Sequence, residues 1–190
     1  MLSGRRLNLI DPSPLDVEVD DIAHGLARVA RWNGQTNGRH AFSVAQHTLV
    51  VAAIAAETAP RMDARGRLAV MLHDAPEYVI GDLISPFKAM LDGEYRAVEA
   101  RLLAAIHRRF GLPTVLPARL MAQIKVADRV AAYHEAVRLA GFSEAEAMRY
   151  FGRPRGIDAS RLDLDPWPAQ TAERRFLQRF RVIAAAASGT

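Results

Sequence analysis

The run Val44-Ala45-Gln46-His47-Thr48-Leu49-Val50-Val51-Ala52-Ala53-Ile54-Ala55 is apolar on most of its faces. Ser43 before it reads as an N-cap, and Pro60 marks its end. A helix with no polar face has no side to offer to water and must be wrapped by others. This one segment therefore predicts a helical bundle with residues 43–59 at its centre. The rest of the chain supplies candidates for the wrapping. Apolar spacing marks helices at about 22–30, 64–79, 94–110, 117–140 and 171–187, and Ser143-Glu144-Ala145-Glu146 reads as the capped start of a short one. Another helix can begin at Pro86, with Ser85 as its cap. Strand-like alternation occurs only at Leu15-Asp16-Val17-Glu18-Val19, too short to support a sheet. The expected fold class is all-α.

A length of 190 residues suits one domain, with a core over about 20–150, a loop at 152–168 and a C-terminal helix. No apolar run is long enough for a membrane span, and the N-terminal arginines are not followed by a leader-like apolar stretch. The absence of cysteine excludes disulfides and thiolate metal sites and is compatible with a cytoplasmic location. Net charge is +4, but aromatics are 7% and the basic residues are scattered. That pattern favours a site for small phosphates over a nucleic-acid polymer.

Four polar residues interrupt otherwise apolar segments: His47, the adjacent pair His73-Asp74, and Asp128. A carboxylate buried without a partner is costly, so each acid needs a compensating charge. A lone buried histidine is usually an ordinary hydrogen-bonded core residue. Two histidines and two aspartates from three helices also suit a shared divalent cation, with positions left open for water and a phosphate oxygen. Both readings stand on the residues alone.

Their order and context resemble a known family. Arg31-Trp32 ahead of Ser43-Val44-Ala45-Gln46-His47, then His73-Asp74-Ala75-Pro76-Glu77 with Gly81-Asp82, then Lys125-Val126-Ala127-Asp128, resembles the HD-domain phosphohydrolases. Within them it is most similar to the small bacterial 5′-deoxynucleotidases, over about residues 20–140. The resemblance implies an HD-domain helical bundle. It implies one divalent ion (Mn, Co, Mg, Fe, Ni or Zn) held by His47, His73, Asp74 and Asp128. It implies hydrolysis of a deoxynucleoside 5′-monophosphate to nucleoside and phosphate, with triphosphate release from a deoxynucleoside triphosphate as an alternative. A homodimer is a further expectation, and a non-catalytic helical module with a structural metal is the alternative outside enzymology.

Glu77 follows Asp74 by three residues and His73 by four, which places it on the same helix face as both. There it would handle a proton of water or of the leaving oxygen. Arg31 suits bidentate phosphate binding, and Trp32 offers a flat apolar face. The resemblance puts that pair at the substrate, with the tryptophan excluding a 2′-hydroxyl. Asp82 could meet the 3′-hydroxyl or cap the following helix. Lys125 shares a helix face with Asp128 and could reach a phosphate, and Lys88 a phosphate farther out. His24, His40, His107 and His134 fit no such spacing and read as structural or solvent-exposed.

Overall fold

A computed structural model describes residues 1–91, 93–154 and 156–189, apart from the side chains of Ser85, Pro86 and Ala89. Among these residues the regular structure is helical: α1 Val19–Leu26, α2 Val44–Thr58, α3 Ala64–Met71, α4 Glu77–Ile80, α5 Ser85–Met90, α6 Gly93–Arg109, α7 Ala118–Arg138, α8 Glu144–Phe151 and α9 Ala169–Ser188. None of these helices is long and apolar enough to cross a membrane.

Ser43 caps α2 by accepting a hydrogen bond from the Gln46 amide. From there α2 runs through the middle of the molecule, packed by α7, α3, α9 and α1. Val44, Ala45, Val51 and Ile54 on it are fully buried. Phe42, Ile22, Leu26, Met71, Leu72 and Phe176 close over them from four other segments. Each large side chain buried in this way contributes about 1.5–3 kcal/mol relative to exposure. The central helix thus sits where its apolar surface requires.

Two expectations change. The helix expected over 64–79 is broken. Leu72, His73, Ala75, Glu77 and Tyr78 all donate to the carbonyl three residues back, so the chain winds tightly between α3 and α4. Pro76 explains much of this, since it has no N–H for an α-helical bond and its ring crowds the preceding turn. His73 and Asp74 therefore sit in a tight turn, not on a regular helix. Gly81, at φ +76°, then ends α4. The helix expected from residue 22 to 30 starts earlier and stops at Leu26. Ala30 instead pairs with Ser43 in an isolated antiparallel bridge. The Arg31 amide donates to Phe42 and the Val44 amide to Val29, pinning the 31–42 loop to the start of α2. The short helix near Pro86 begins at Ser85 with Ile84 at its cap position; a capping role for the Ser85 side chain falls outside the described residues.

Candidate metal centre

His47 lies in the first turns of α2 and is fully buried. Its Nδ1 is 2.6 Å from Oε1 of Glu135, a residue of α7 that is also fully buried. His73, in the turn after α3, has its Nδ1 2.8 Å from the Val70 carbonyl. A carbonyl only accepts, and so does an ionised carboxylate, so each Nδ1 carries the proton and donates. That leaves Nε2 of each ring as the atom aimed inward. The rings lie 5.6 Å apart, centroid to centroid. Both Nε2 atoms are buried and make no hydrogen bond of proper geometry. What faces them is carboxylate oxygen. Asp74 Oδ2 is 3.4 Å from His47 Nε2 and 3.2 Å from His73 Nε2, and Asp128 Oδ1 is 3.3 Å from His47 Nε2.

This donor set fits a divalent cation. Ligand atoms of His47, His73 and Asp128 all lie within 4.8 Å of one another, and Asp74 borders both imidazoles. Each imidazole is oriented by an acceptor behind it, the usual arrangement for a metal-ligating histidine. A mixed set of nitrogen and oxygen donors suits first-row divalent ions.

The carboxylates around the two imidazoles set the charge balance of the cluster. Burial and the nearby Arg31 oppose a charge on His47, but Glu135, Asp128 and Asp74 outweigh them and raise its pKa well above the usual histidine value. Burial likewise opposes charge on His73, and Asp74 overcomes it. Asp74 and Asp128 are held below the usual carboxylate range against burial, chiefly by His73 and His47 respectively. Glu77 goes the other way. Burial, then Asp74 and Asp82, push its carboxyl up to about 9.

The other expected site residues divide. Glu77 is 3% exposed. Its Oε1 accepts from Lys88 Nζ at 3.3 Å, while its Oε2 is buried without a partner. Lys88 also donates to Glu99, so it is tied to two acids on the way to the cluster. Arg31 donates to Glu135 from Nε and Nη2 and to Asp82 from Nη1. This half-buried guanidinium is thus anchored by protein carboxylates rather than standing open, and Asp82 serves it instead of capping α5. Lys125 is exposed, one helical turn before Asp128. Trp32 adopts φ +57°, a left-handed backbone that is uncommon for a bulky residue. Its indole Nε1 donates to Glu135 at 3.0 Å, and its ring meets Phe142 and Phe151 edge-on at 5.7 and 5.8 Å.

Glu135 is the residue that sequence reasoning missed. Burial opposes its charge, yet His47, Arg31 and the hydrogen bonds from His47 and Trp32 hold its pKa down to about 2. A signal was available. Glu135 follows Asp128 by seven residues, two helical turns, and so shares its side of α7.

Residues 22–146 match the family described as 5′-deoxynucleotidase YfbR-like. An uncharacterised protein of Rhodobacter capsulatus is 52% identical over 189 residues, covering 100% of this chain and 96% of the relative. The uncharacterised protein YfdR of Escherichia coli is 32% identical over 101 residues, covering 53% of this chain and 51% of the relative.

Proposed function

We propose that this chain, which belongs to the YfbR-like 5′-deoxynucleotidase family, hydrolyses deoxynucleoside 5′-monophosphates with a divalent cation held by His47, His73, Asp74 and Asp128. The observation that carries the reading is the pair of buried, unpartnered imidazole Nε2 atoms converging on two carboxylates from separate elements. An unpartnered Nε2 also occurs singly at His107, but here two such nitrogens face one shared carboxylate oxygen, which gives a cation a common point between them. Bound there, the cation supplies Lewis acidity toward a phosphoryl oxygen and shifts water toward hydroxide.

The protein's own groups do the rest. Glu135 and the Val70 carbonyl orient the two imidazoles. Asp128, the most exposed of the four, leaves a way in for substrate. Arg31 keeps N–H groups beyond those used by Glu135 and Asp82, and these can meet a phosphate already positioned. Lys125 adds positive charge at the rim. Trp32, wedged against Phe142 and Phe151, presents a rigid edge toward the sugar. In the reaction, water oxygen bonds to phosphorus with one hydrogen kept on the phosphate and the other released to restore Glu77, the bond from phosphorus to O5′ breaks, and the nucleoside leaves with a proton on O5′. Glu77, with one oxygen held by Lys88 and the other uncommitted, is placed to hand over that proton.

Incubation of the purified chain with dAMP, AMP and dATP, each with Mn, Co or Mg, tests the reading. The expected products are deoxyadenosine and inorganic phosphate from dAMP, with little turnover of AMP. Inorganic triphosphate from dATP as the main product would move the assignment to the triphosphohydrolase alternative. No metal-dependent turnover of any of the three would overturn it.

A further inference from the structure

We infer that Glu135 is a positioning residue that fixes the metal-facing nitrogen of His47 and, through the same carboxylate, holds Arg31 and Trp32 on the substrate side. Metal uptake and the substrate-side pair are then coupled through one side chain. The inference rests on the proposal that His47 is a metal ligand.

The division of labour between the two oxygens carries the argument. Oε1 takes His47 Nδ1 alone, at 2.6 Å. Oε2 takes Arg31 Nε and Nη2, both at 3.3 Å, and Trp32 Nε1 at 3.0 Å. If Glu135 only neutralised Arg31, a fork using both oxygens would be the favoured geometry. Instead both arginine bonds crowd onto one oxygen, and the other is kept for the imidazole. Arg31 has a second anion in Asp82, so its charge does not depend on Glu135 alone. Trp32 needs the contact for a different reason. Its left-handed backbone is uncommon for a bulky residue, and the indole bond to Glu135 helps hold it there. A fully buried carboxylate is also a poor choice for stability alone, since an apolar side chain often serves as well. Its three partners share one property: each belongs to the centre or to its mouth.

Glu135→Gln separates these roles because an amide offers one acceptor and one donor group. If the carbonyl stays on His47, the NH2 faces the N–H groups of Arg31 and Trp32. If the amide flips, the imidazole loses its acceptor. Three measurements on the full chain test the inference. The first is Mn affinity by calorimetry. The second is the His47 Nδ1–H resonance in the Zn-loaded protein. The third is Trp32 emission in a Trp167→Phe background, which leaves one tryptophan. We expect E135Q to bind Mn about 10- to 100-fold more weakly, to shift or lose the Nδ1–H resonance, and to change Trp32 emission. E135D keeps the charge one methylene farther away, and we expect the same changes at smaller size; it takes over the test should E135Q fail to fold. Parental Mn affinity, or an unmoved Trp32 emission, in the folded variant would overturn the inference. A parental chain that takes up neither metal would instead overturn the metal centre on which it rests.

Discussion

A carboxyl group withdrawn from water next to other acids prefers to keep its proton, and Glu77 is in that position with its pKa raised to about 9. Glu77→Gln should therefore keep the shape and lose the transferable proton. We expect kcat to fall by about 10²–10⁴-fold with Mn uptake unchanged, measured by steady-state kinetics beside calorimetry. Turnover at the parental rate would remove Glu77 from the chemistry. His107 gives a separate prediction away from the centre. It is 1% exposed, donates from Nδ1 to the Pro113 carbonyl, and leaves Nε2 buried without a partner. Burial lowers its pKa, so the folded state keeps it neutral. The unfolded chain takes up the proton at about pH 6.5. Its contribution to stability is thus present above that pH and lost as pH falls through it. Urea midpoints at pH 7 and pH 5 should differ more for the parent than for His107→Gln. Equal differences would show that His107 does not titrate on unfolding. The ligand candidates were legible because histidine and aspartate stand out in apolar runs. Glu135 offered only its two-turn spacing from Asp128, which carries little weight because a glutamate near a helix end ordinarily faces water.

Helix contacts set where Glu77 can stand. α1 packs on α4, and Gly25 lies directly against Tyr78. A Cβ there would lie 2.8 Å from Tyr78 Cβ and 2.9 Å from the Tyr78 carbonyl oxygen. Glycine to alanine in a helix normally gains up to about 1 kcal/mol. At Gly25 the sign should reverse, since overpacking costs about 1–3 kcal/mol. Because Tyr78 adjoins Glu77, G25A should lower kcat as well as the urea midpoint. A more stable, fully active G25A would show that α4 yields freely. At the other end of the site, α8 carries Phe151 against Trp32 and begins with a capping box between Ser143 and Glu146. Ser143→Ala should cost about 1 kcal/mol, with a change in Trp32 emission. These elements were only partly visible beforehand. The Ser143 cap, the α2 cap and the breaks at Gly81 and Gly152 follow from local chemistry. The interruption at His73-Asp74 also has a local cause in Pro76, but the apolar pattern continues through it and periodicity alone does not register a lost amide.

Over the whole molecule, the centre draws on α2, the turn before α4, and α7. A ligand that binds only when these converge stabilises the fold by mass action, about 2.7 kcal/mol at a hundredfold excess over Kd. Mn should therefore raise the melting temperature of the parent, and Asp128→Asn should abolish most of that rise. An equal rise in both would place the ion elsewhere. The bundle itself was readable from one helix apolar on most of its faces, but the path of the chain around it was not. The long 152–168 stretch has too little periodicity to declare where it docks. It docks on Gln46, whose amide donates to the carbonyls of Asp163 and Asp165 and accepts from the Trp167 amide.

Gln46 and His47 are neighbours in sequence that serve different parts of the molecule. One clasps the segment that leads into α9 and the other faces the carboxylates of the candidate metal centre. Adding or deleting a single residue just upstream in α2 would rotate both by about 100°, releasing that segment and turning the imidazole away from its carboxylates together. The first turn of this helix is therefore the place in the chain where length, more than residue type, is constrained.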